Sequence, residues 1–397
     1  MRAKIINISI GTEIIRNFAT NITISYMKFK SISIKDGKTG WNASGVQFNP
    51  MLTLLVGASG VGKTKILNGI YTLKQIAGGE SYYGLEWKAE FEQNRHSYIW
   101  EGAFEAAEAA HQTYYGKKNN NYNIVRESVS CDGEVIISRT SHSIQFKGHE
   151  LVKLDNTKSV VELLKMEAAV EPIYKGFLQC YGLDPAENTI RISPIVTVSK
   201  RNPLNLMLIK SMYIFSPLER LFLLHENKLK EFDIVCEKFK EIFPTVEKID
   251  FVLVQASDEI LIPMLRIKER NVSAWIEQTS ISSGMMRALV QIITLVLAND
   301  GDVIMIDEFE NGLGVNCINE LADMIMEPEA DIQVVMTSHH PYIINAIPVK
   351  DWKILTRNGS DVHVHTAEDL HIGEHSKHEA FMQLLQTPEF KTGLNRN

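Results

Sequence analysis

The sequence predicts an α/β fold in which a mixed central sheet flanked by helices carries an antiparallel β lobe and a helical insertion, with no long coiled coil. Three observations lead there. The apolar run 52–56 is short enough to be a buried strand and feeds the pattern G-x-x-x-x-G-K-T at 57–64, after which 65–73 reads as a helix. A second apolar run, 303–306, ends in the adjacent carboxylates Asp307 and Glu308, as a buried parallel strand does when it delivers polar residues at its tip. Nothing between 80 and 270 sustains apolar heptads, so no coiled-coil arm is expected.

Gly57, Ala58, Ser59, Gly60, Val61, Gly62, Lys63 and Thr64 have the chemistry of a phosphate-binding loop. The glycines let the backbone turn tightly and aim its N–H groups inward, and the helix that follows adds partial positive charge at its N-terminus. Lys63 reaches toward the outer phosphates, and Thr64 offers a hydroxyl to Mg²⁺. The plainer alternative is a glycine turn before an ordinary helix. Strand, pattern and helix coincide here, which favours phosphate.

A chain of 397 residues exceeds one typical domain, yet an α/β core of this size often carries its extra length as an insertion. We expect a single head over 1–397, with an inserted lobe of hairpin and helices at 80–270 and the returning half of the core at 271–360. Hydrophobic residues at 45% and charged residues at 22% are ordinary for a soluble protein. A net charge of −7 gives no overall basic field for nucleic acid, while a local patch stays open. The four cysteines, Cys131, Cys180, Cys236 and Cys317, lie far apart without a C-x-x-C, which suggests neither a disulfide framework nor a zinc site and makes the cytoplasm the expected location. No apolar run is long enough to span a membrane, and the N-terminal stretch lacks the order of a signal peptide.

In chain order, 21–34 alternates as a strand, and an aromatic there such as Tyr26 or Phe29 can stack on a base or, more plainly, fill the core. Residues 102–112 read as helix on propensity. The segments 122–129 and 134–139 read as a hairpin whose turn carries Asp132 and Gly133. Helices are expected at 159–169 and at 228–243, the latter with one apolar face and ended by Pro244. The strand-like segments 251–255 and 261–267 are expected to lead back into the core. Tyr82, Tyr83, Trp87 and Trp100 read as lobe packing before a nucleic-acid surface, and His363, His365, His371, His375 and His378 as solvated surface before a metal site.

In a nucleotide enzyme Asp307 would hold hydrated Mg²⁺ and Glu308 would orient and polarise the attacking water; alone, the pair also suits an acidic loop. Ser282, Ser283 and Gly284 open a long apolar helix at 286–297. Their hydroxyls and N–H groups suit a second anionic site, or simply a helix cap.

Taken in order after the phosphate loop, 281–285 resembles the ABC signature, Asp307 and Glu308 its Walker B, 310–313 its D-loop and 336–341 its switch-histidine loop. The chain thus resembles ABC-type ATPases of the SMC, RecF and overcoming-lysogenization-defect group. The stretches 306–313 and 337–344 are similar to the stand-alone bacterial forms called AAA15 or AAA21, and 213–220 more weakly resembles a YIPxER element of that group. The resemblance implies ATP and Mg²⁺ as cofactors and a head-to-tail homodimer or higher even oligomer. ATP would lie between the phosphate loop of one head and Ser282, Ser283 and Gly284 of the other, with Asn311 at the contact. It also implies His339 as the switch histidine, with His340 standing where serine is usual, and leaves the Q-loop open among Gln75, Gln93, Gln112 and Gln145.

Members of the resembled group serve bacterial anti-phage systems such as Septu, retron-linked modules and PARIS-like pairs. The expected function is therefore an ATP-hydrolysing switch or scaffold that controls a separate effector protein, a nuclease or toxin. A RecF-like DNA-maintenance ATPase is the alternative, and direct nucleic-acid contact stays open. The stretch after His339 is too short for the Toprim nuclease of an overcoming-lysogenization-defect protein, and the absence of coiled-coil arms speaks against Rad50 or SMC. The signature wording and the insertion speak against a transporter subunit, so no membrane partner is expected.

Overall fold

The computed structural model describes residues 25–106, 121–183, 195–196, 204–257, 260–373 and 376–394. They fall into two compact units: Ser25–Gly182 with Asp300–Phe309 and Asp331–Asn397, and Leu183–Asn299 with Glu310–Ala330. Along the chain the strands are β1 (Met27–Lys35), β2 (Asn42–Gln47), β3 (Leu52–Val56), β4 (Glu86–Gln93), β5 (His96–Phe104), β6 (Ile124–Cys131), β7 (Glu134–Thr140), β8 (Ile144–Phe146) and β9 (His149–Glu150). There follow β10 (Cys180–Leu183), β11 (Ile195–Val196), β12 (Val246–Ser257), β13 (Ile260–Glu269), β14 (Ile276–Glu277), β15 (Val303–Ile306), β16 (Gln333–Thr337), β17 (Trp352–Asn358) and β18 (Asp361–His365).

In the first unit the sheet runs β10-β15-β16-β3-β17-β18-β2-β1-β4-β5-β6-β7-β8-β9. Its centre is parallel: β15 pairs β16, β16 pairs β3 and β3 pairs β17 in the same direction. Every residue of β3, β15 and β16 is buried, as expected for parallel strands covered on both faces. From β1 outward through β9 the pairing is antiparallel, and β4 alternates between buried and half-buried residues. One face of this lobe closes over an aromatic cluster in which Phe177 meets Phe29, Phe91 and Trp100 edge-on at 5.9, 5.6 and 5.0 Å between ring centroids. The mixed sheet, the antiparallel lobe and the lack of long coiled-coil helices among the described residues agree with the sequence reading.

Two hairpins of the lobe turn through left-handed pairs, Asn94 with Arg95 and Asp132 with Gly133, which matches the right-handed twist of the strands. The second is the aspartate-glycine turn expected from sequence. The expected helix at 102–112 is not found at its start: Gly102 and Ala103 pair with β4 and β6, and tertiary pairing overrides local propensity. Its remainder, 107–120, lies outside the described residues. The expected helix at 159–169 shrinks to Val160–Leu163, capped by Ser159, and then breaks into turns.

In the second unit β11, β13 and β12 form their own antiparallel sheet with β14 beside β13. The segments expected to return to the core therefore pair with each other instead. The helix Lys230–Ile242 buries Val235, Cys236, Phe239 and Ile242 on one face, as its spacing predicts. At 213–220 the resemblance has a local physical meaning. Ser216 and Glu219 form a reciprocal capping box and Pro217 opens the helix Pro217–Glu226. Among the described residues no helix is long and apolar enough to cross a membrane.

Candidate nucleotide site

Parallel register places three polar segments at one edge of the first unit. Ile306 lies opposite Met336 and Thr337 opposite Leu55, so β15, β16 and β3 release the chain side by side at their carboxyl ends. Asp307 with Glu308, the 338–341 loop and the 57–64 loop all follow those ends, the place where open α/β sheets bind ligands.

The 57–64 loop needs its glycines. A Cβ at Gly57 would stand 2.7 Å from the Leu355 carbonyl oxygen, and Gly62, left-handed at φ 112°, starts the helix Lys63–Ala77. Gly62 has no side chain to cap that helix, whose N-terminus follows directly on the loop. Lys63 is buried, and its Nζ donates to the carbonyls of Gly57 at 2.8 Å and Ala58 at 3.0 Å. Thr64, Ser59 and Gly60 are exposed. Trp41, which sequence reading passed over, packs behind the loop: its Nε1 would be 3.1 Å from a Cβ at Gly62, and Lys65 lies over its ring at 5.3 Å.

Asp307 and Glu308 are ordered by Thr337. The Thr337 hydroxyl donates to Asp307 Oδ1 at 2.7 Å and accepts the Glu308 N–H at 2.7 Å, and the Phe309 N–H donates to the Thr337 carbonyl at 3.0 Å. Glu308 takes a left-handed backbone at φ 47°, a conformation a glutamate holds only when its surroundings enforce it. Its side chain is exposed while Asp307 is half-buried. Thr64 and Asp307 offer hard oxygen donors, which fit Mg²⁺.

In the 338–341 loop the two histidines differ. His340 caps the helix Pro341–Ala346, its Nδ1 accepting from the Tyr342 N–H at 3.3 Å, whereas His339 is exposed. The earlier aromatics Tyr26 and Phe29 are used elsewhere: Tyr26 donates to Asp331, and Phe29 is buried among Phe48, Phe91 and Phe177. Of the glutamine candidates, Gln93 is buried and donates to Ser25 Oγ, and Gln75 accepts from Tyr82; Gln112 lies outside the described residues.

Arg357 and Gly393 add a feature not read from sequence. The Arg357 N–H donates to the Gly393 carbonyl at 2.7 Å, and its Nη1 donates to the Gly60 carbonyl at 3.3 Å. A Cβ at Gly393 would meet Val61 Cγ1 at 2.6 Å and Ala58 Cβ at 3.1 Å. The segment ending at Gly393 thus packs against the loop itself.

In the second unit Ser282 is the N-cap of the helix Ser283–Val296, its hydroxyl accepting from the Met285 N–H at 3.2 Å. Ser282 and Ser283 are exposed, as is Asn311. A Cβ at Gly284 would lie 3.0 Å from the Gly312 carbonyl, and Arg287 donates to the Asn311 carbonyl. Gly284 and the 310–313 turn are therefore packed as one local structure.

Residues 223–345 match the family model described as "AAA domain, putative AbiEii toxin, Type IV TA system". The match falls on the part of the chain that carries the 281–285, 307–308, 310–313 and 336–341 motifs, whose order is similar to that of ABC-type ATPases. No curated protein matches the sequence. Among solved structures, an Smc head bound to the C-winged helix domain of ScpA has a TM-score of 0.46 at 13% identity, covering 85% of this chain and 96% of that one. An Smc head with an extended coiled coil, bound to the C-terminal domain of ScpA derived from Pyrococcus furiosus, has 0.43 at 13%, covering 88% and 98%. The SMC head domain from Thermotoga maritima has 0.41 at 12%, covering 85% and 98%.

Proposed function

We propose that this protein binds and hydrolyses ATP as a switch or scaffold subunit, dimerises head to tail around the nucleotide, and controls a separate nuclease or toxin in bacterial anti-phage defence. The observation that carries the catalytic half is the convergence of the 57–64 loop, the Thr337-ordered Asp307 and Glu308, and His339 at the ends of three adjacent parallel strands. In this reading Lys63 leaves the Gly57 and Ala58 carbonyls for the outer phosphates. Thr64 and Asp307 hold Mg²⁺, which neutralises phosphate charge when bound. Glu308 orients water and takes its proton, and His339 approaches the γ-phosphate.

The assembled half rests on Ser282, Ser283 and Gly284 together with Asn311. The hydroxyls of the exposed Ser282 and Ser283 suit a phosphate presented by a second copy. The family description, with its putative toxin and Type IV toxin–antitoxin wording, supports an effector-linked role. The test pairs Lys63→Ala with Glu308→Gln. The first loses nucleotide binding; the second keeps it, loses hydrolysis and accumulates the ATP-bound oligomer in light scattering. An effector encoded beside the protein should then be retained differently with ATP and ADP. Hydrolysis by Glu308→Gln at the wild-type rate, or a strict monomer with full activity, would defeat the reading.

A further inference from the structure

Far along the antiparallel lobe, two hairpin turns bring together His96, Cys131 and Asp132. In sequence His96 lies far from the adjacent Cys131 and Asp132. The register sets Tyr98 opposite Cys131, so the turn at Asn94 and Arg95 and the turn at Asp132 and Gly133 lie at the same end of neighbouring strands. Among the described residues this is the cluster whose potential ligand atoms, a His96 ring nitrogen, Cys131 Sγ and an Asp132 oxygen, all fall within 4.8 Å of one another. From these we propose a divalent zinc-type metal site at the tip of the β4–β7 lobe, with His96, Cys131 and Asp132 as ligands and an open fourth position.

The distances suit this ion. Tetrahedral Zn²⁺ with its usual bond lengths to nitrogen, oxygen and sulfur places ligand atoms about 3.3–3.6 Å apart. Cys131 Sγ and Asp132 Oδ2 are already 3.8 Å apart, and His96 Nδ1 and Asp132 Oδ2, joined at 2.6 Å through a proton, need to open by less than about 1 Å for a metal to take the proton's place. A thiolate, a carboxylate and a neutral imidazole also match the ion's charge and its preference for mixed sulfur, nitrogen and oxygen donors.

The groups around the ligands act as supports. The Ser97 N–H donates to Asp132 Oδ1 at 2.8 Å, which leaves Oδ2 as the ligand oxygen, and the Asp132 N–H returns a bond to the Ser97 carbonyl at 2.8 Å. This two-way clamp fixes the left-handed Asp132 that carries the carboxylate. Tyr98 is buried and stands opposite Cys131 in the strand pairing. His96 and Asp132 are exposed and Cys131 is half-buried, so an ion can enter from solvent. Cys180, Cys236 and Cys317 are buried, which leaves Cys131 as the accessible thiol among the described residues.

The experiment uses the full chain after chelator treatment, with Zn²⁺ followed by calorimetry and Co²⁺ by absorption. The expected result is one metal per chain at this site, with a thiolate-to-Co²⁺ charge-transfer band. Cys131→Ser should abolish the band, and His96→Ala and Asp132→Asn should each weaken binding on the order of tenfold or more. Zn²⁺ should raise the melting midpoint of wild type and leave that of Cys131→Ser unchanged. Because all three side chains lie at turns near the surface, the metal-free variants should melt as wild type does, and Asp132→Asn keeps a residue that tolerates the left-handed turn. Absence of tight binding, or equal affinity and an unchanged Co²⁺ spectrum across wild type and all three variants, would overturn the site.

Discussion

The Thr337 hydroxyl donates to Asp307 Oδ1 across 2.7 Å, and its oxygen also accepts the Glu308 N–H. Thr337 is buried, so one hydroxyl at the end of β16 holds the Asp307 carboxylate and the Glu308 backbone at the end of β15. Thr337→Val should leave the Glu308 N–H without that acceptor, at a cost of about 1–3 kcal/mol. Hydrolysis should fall by roughly 10- to 100-fold with nucleotide affinity nearly unchanged, and Thr337→Ser should retain most activity. Single-turnover hydrolysis beside equilibrium binding checks this, and an unimpaired valine variant would remove Thr337 from the site.

Thr337 also marks where sequence reading stops. The strands that frame it are legible because burial on both faces forces continuous apolar runs, as in Leu52–Val56 and Val303–Ile306. The link from Thr337 to Asp307 depends on parallel register, which spacing along the chain does not encode. The same holds for His96 with Cys131 and for Gly393 with Val61, contacts made by residues on separate turns or strands. The shortened helix at 160–163 and the self-paired β12 and β13 depart from sequence for another reason: local propensity does not contain the packing partners that decide such segments.

A side chain at Gly284 should press on the 310–313 turn. A Cβ there would press on the Gly312 backbone carbonyl at 3.0 Å, a contact that cannot relax by a side-chain rotation. Gly284→Ala should therefore shift the 310–313 turn. If this face meets the phosphate of a second copy, the variant should bind ATP as tightly as wild type, lose ATP-dependent association and hydrolyse slowly. Light scattering with and without ATP reads the difference, and normal association with normal turnover would detach Gly284 from the interface.

Asp331 gives a pH signature. Burial pushes its carboxyl up, but the Lys28 ammonium and the Tyr26 hydroxyl outweigh that and hold it below the usual aspartate range. The Tyr26 phenol is correspondingly pushed up to about 12, first by burial and then by Asp331. A depressed carboxyl in the folded state stabilises above its unfolded value near about 3.9, and that contribution disappears as pH falls through the folded value. With Asp331 half exposed, screening keeps the contribution under about 1 kcal/mol. Asp331→Asn should be less stable than wild type at neutral pH, and urea-unfolding midpoints of the two should converge in acid. A gap that stays constant down to strongly acid pH would show that the ion pair is not its source.

Gly393 holds the end of the described chain against the 57–64 loop. It is left-handed at φ 69°, its carbonyl accepts the Arg357 N–H, and Arg357 in turn donates to the Gly60 carbonyl. Gly393→Ala introduces a methyl where Val61 and Ala58 already stand, and adds the strain of a left-handed alanine, about 1–2 kcal/mol. Val61 belongs to the buried core, so the loop, rather than a flexible side chain, has to yield. If about 1 kcal/mol of that strain is relieved by displacing 57–64, nucleotide affinity should weaken by roughly fivefold. Arg357→Ala should act in the same direction by releasing the Gly60 carbonyl, and because both changes touch one contact their effects should not add. Nucleotide titration of the two single variants and the double variant, with hydrogen exchange at 57–64, separates this coupling from general instability: faster exchange confined to the loop with a sub-additive loss of affinity is the expected result. Unchanged affinity in Gly393→Ala would mean that the loop keeps its shape without the segment that packs on it.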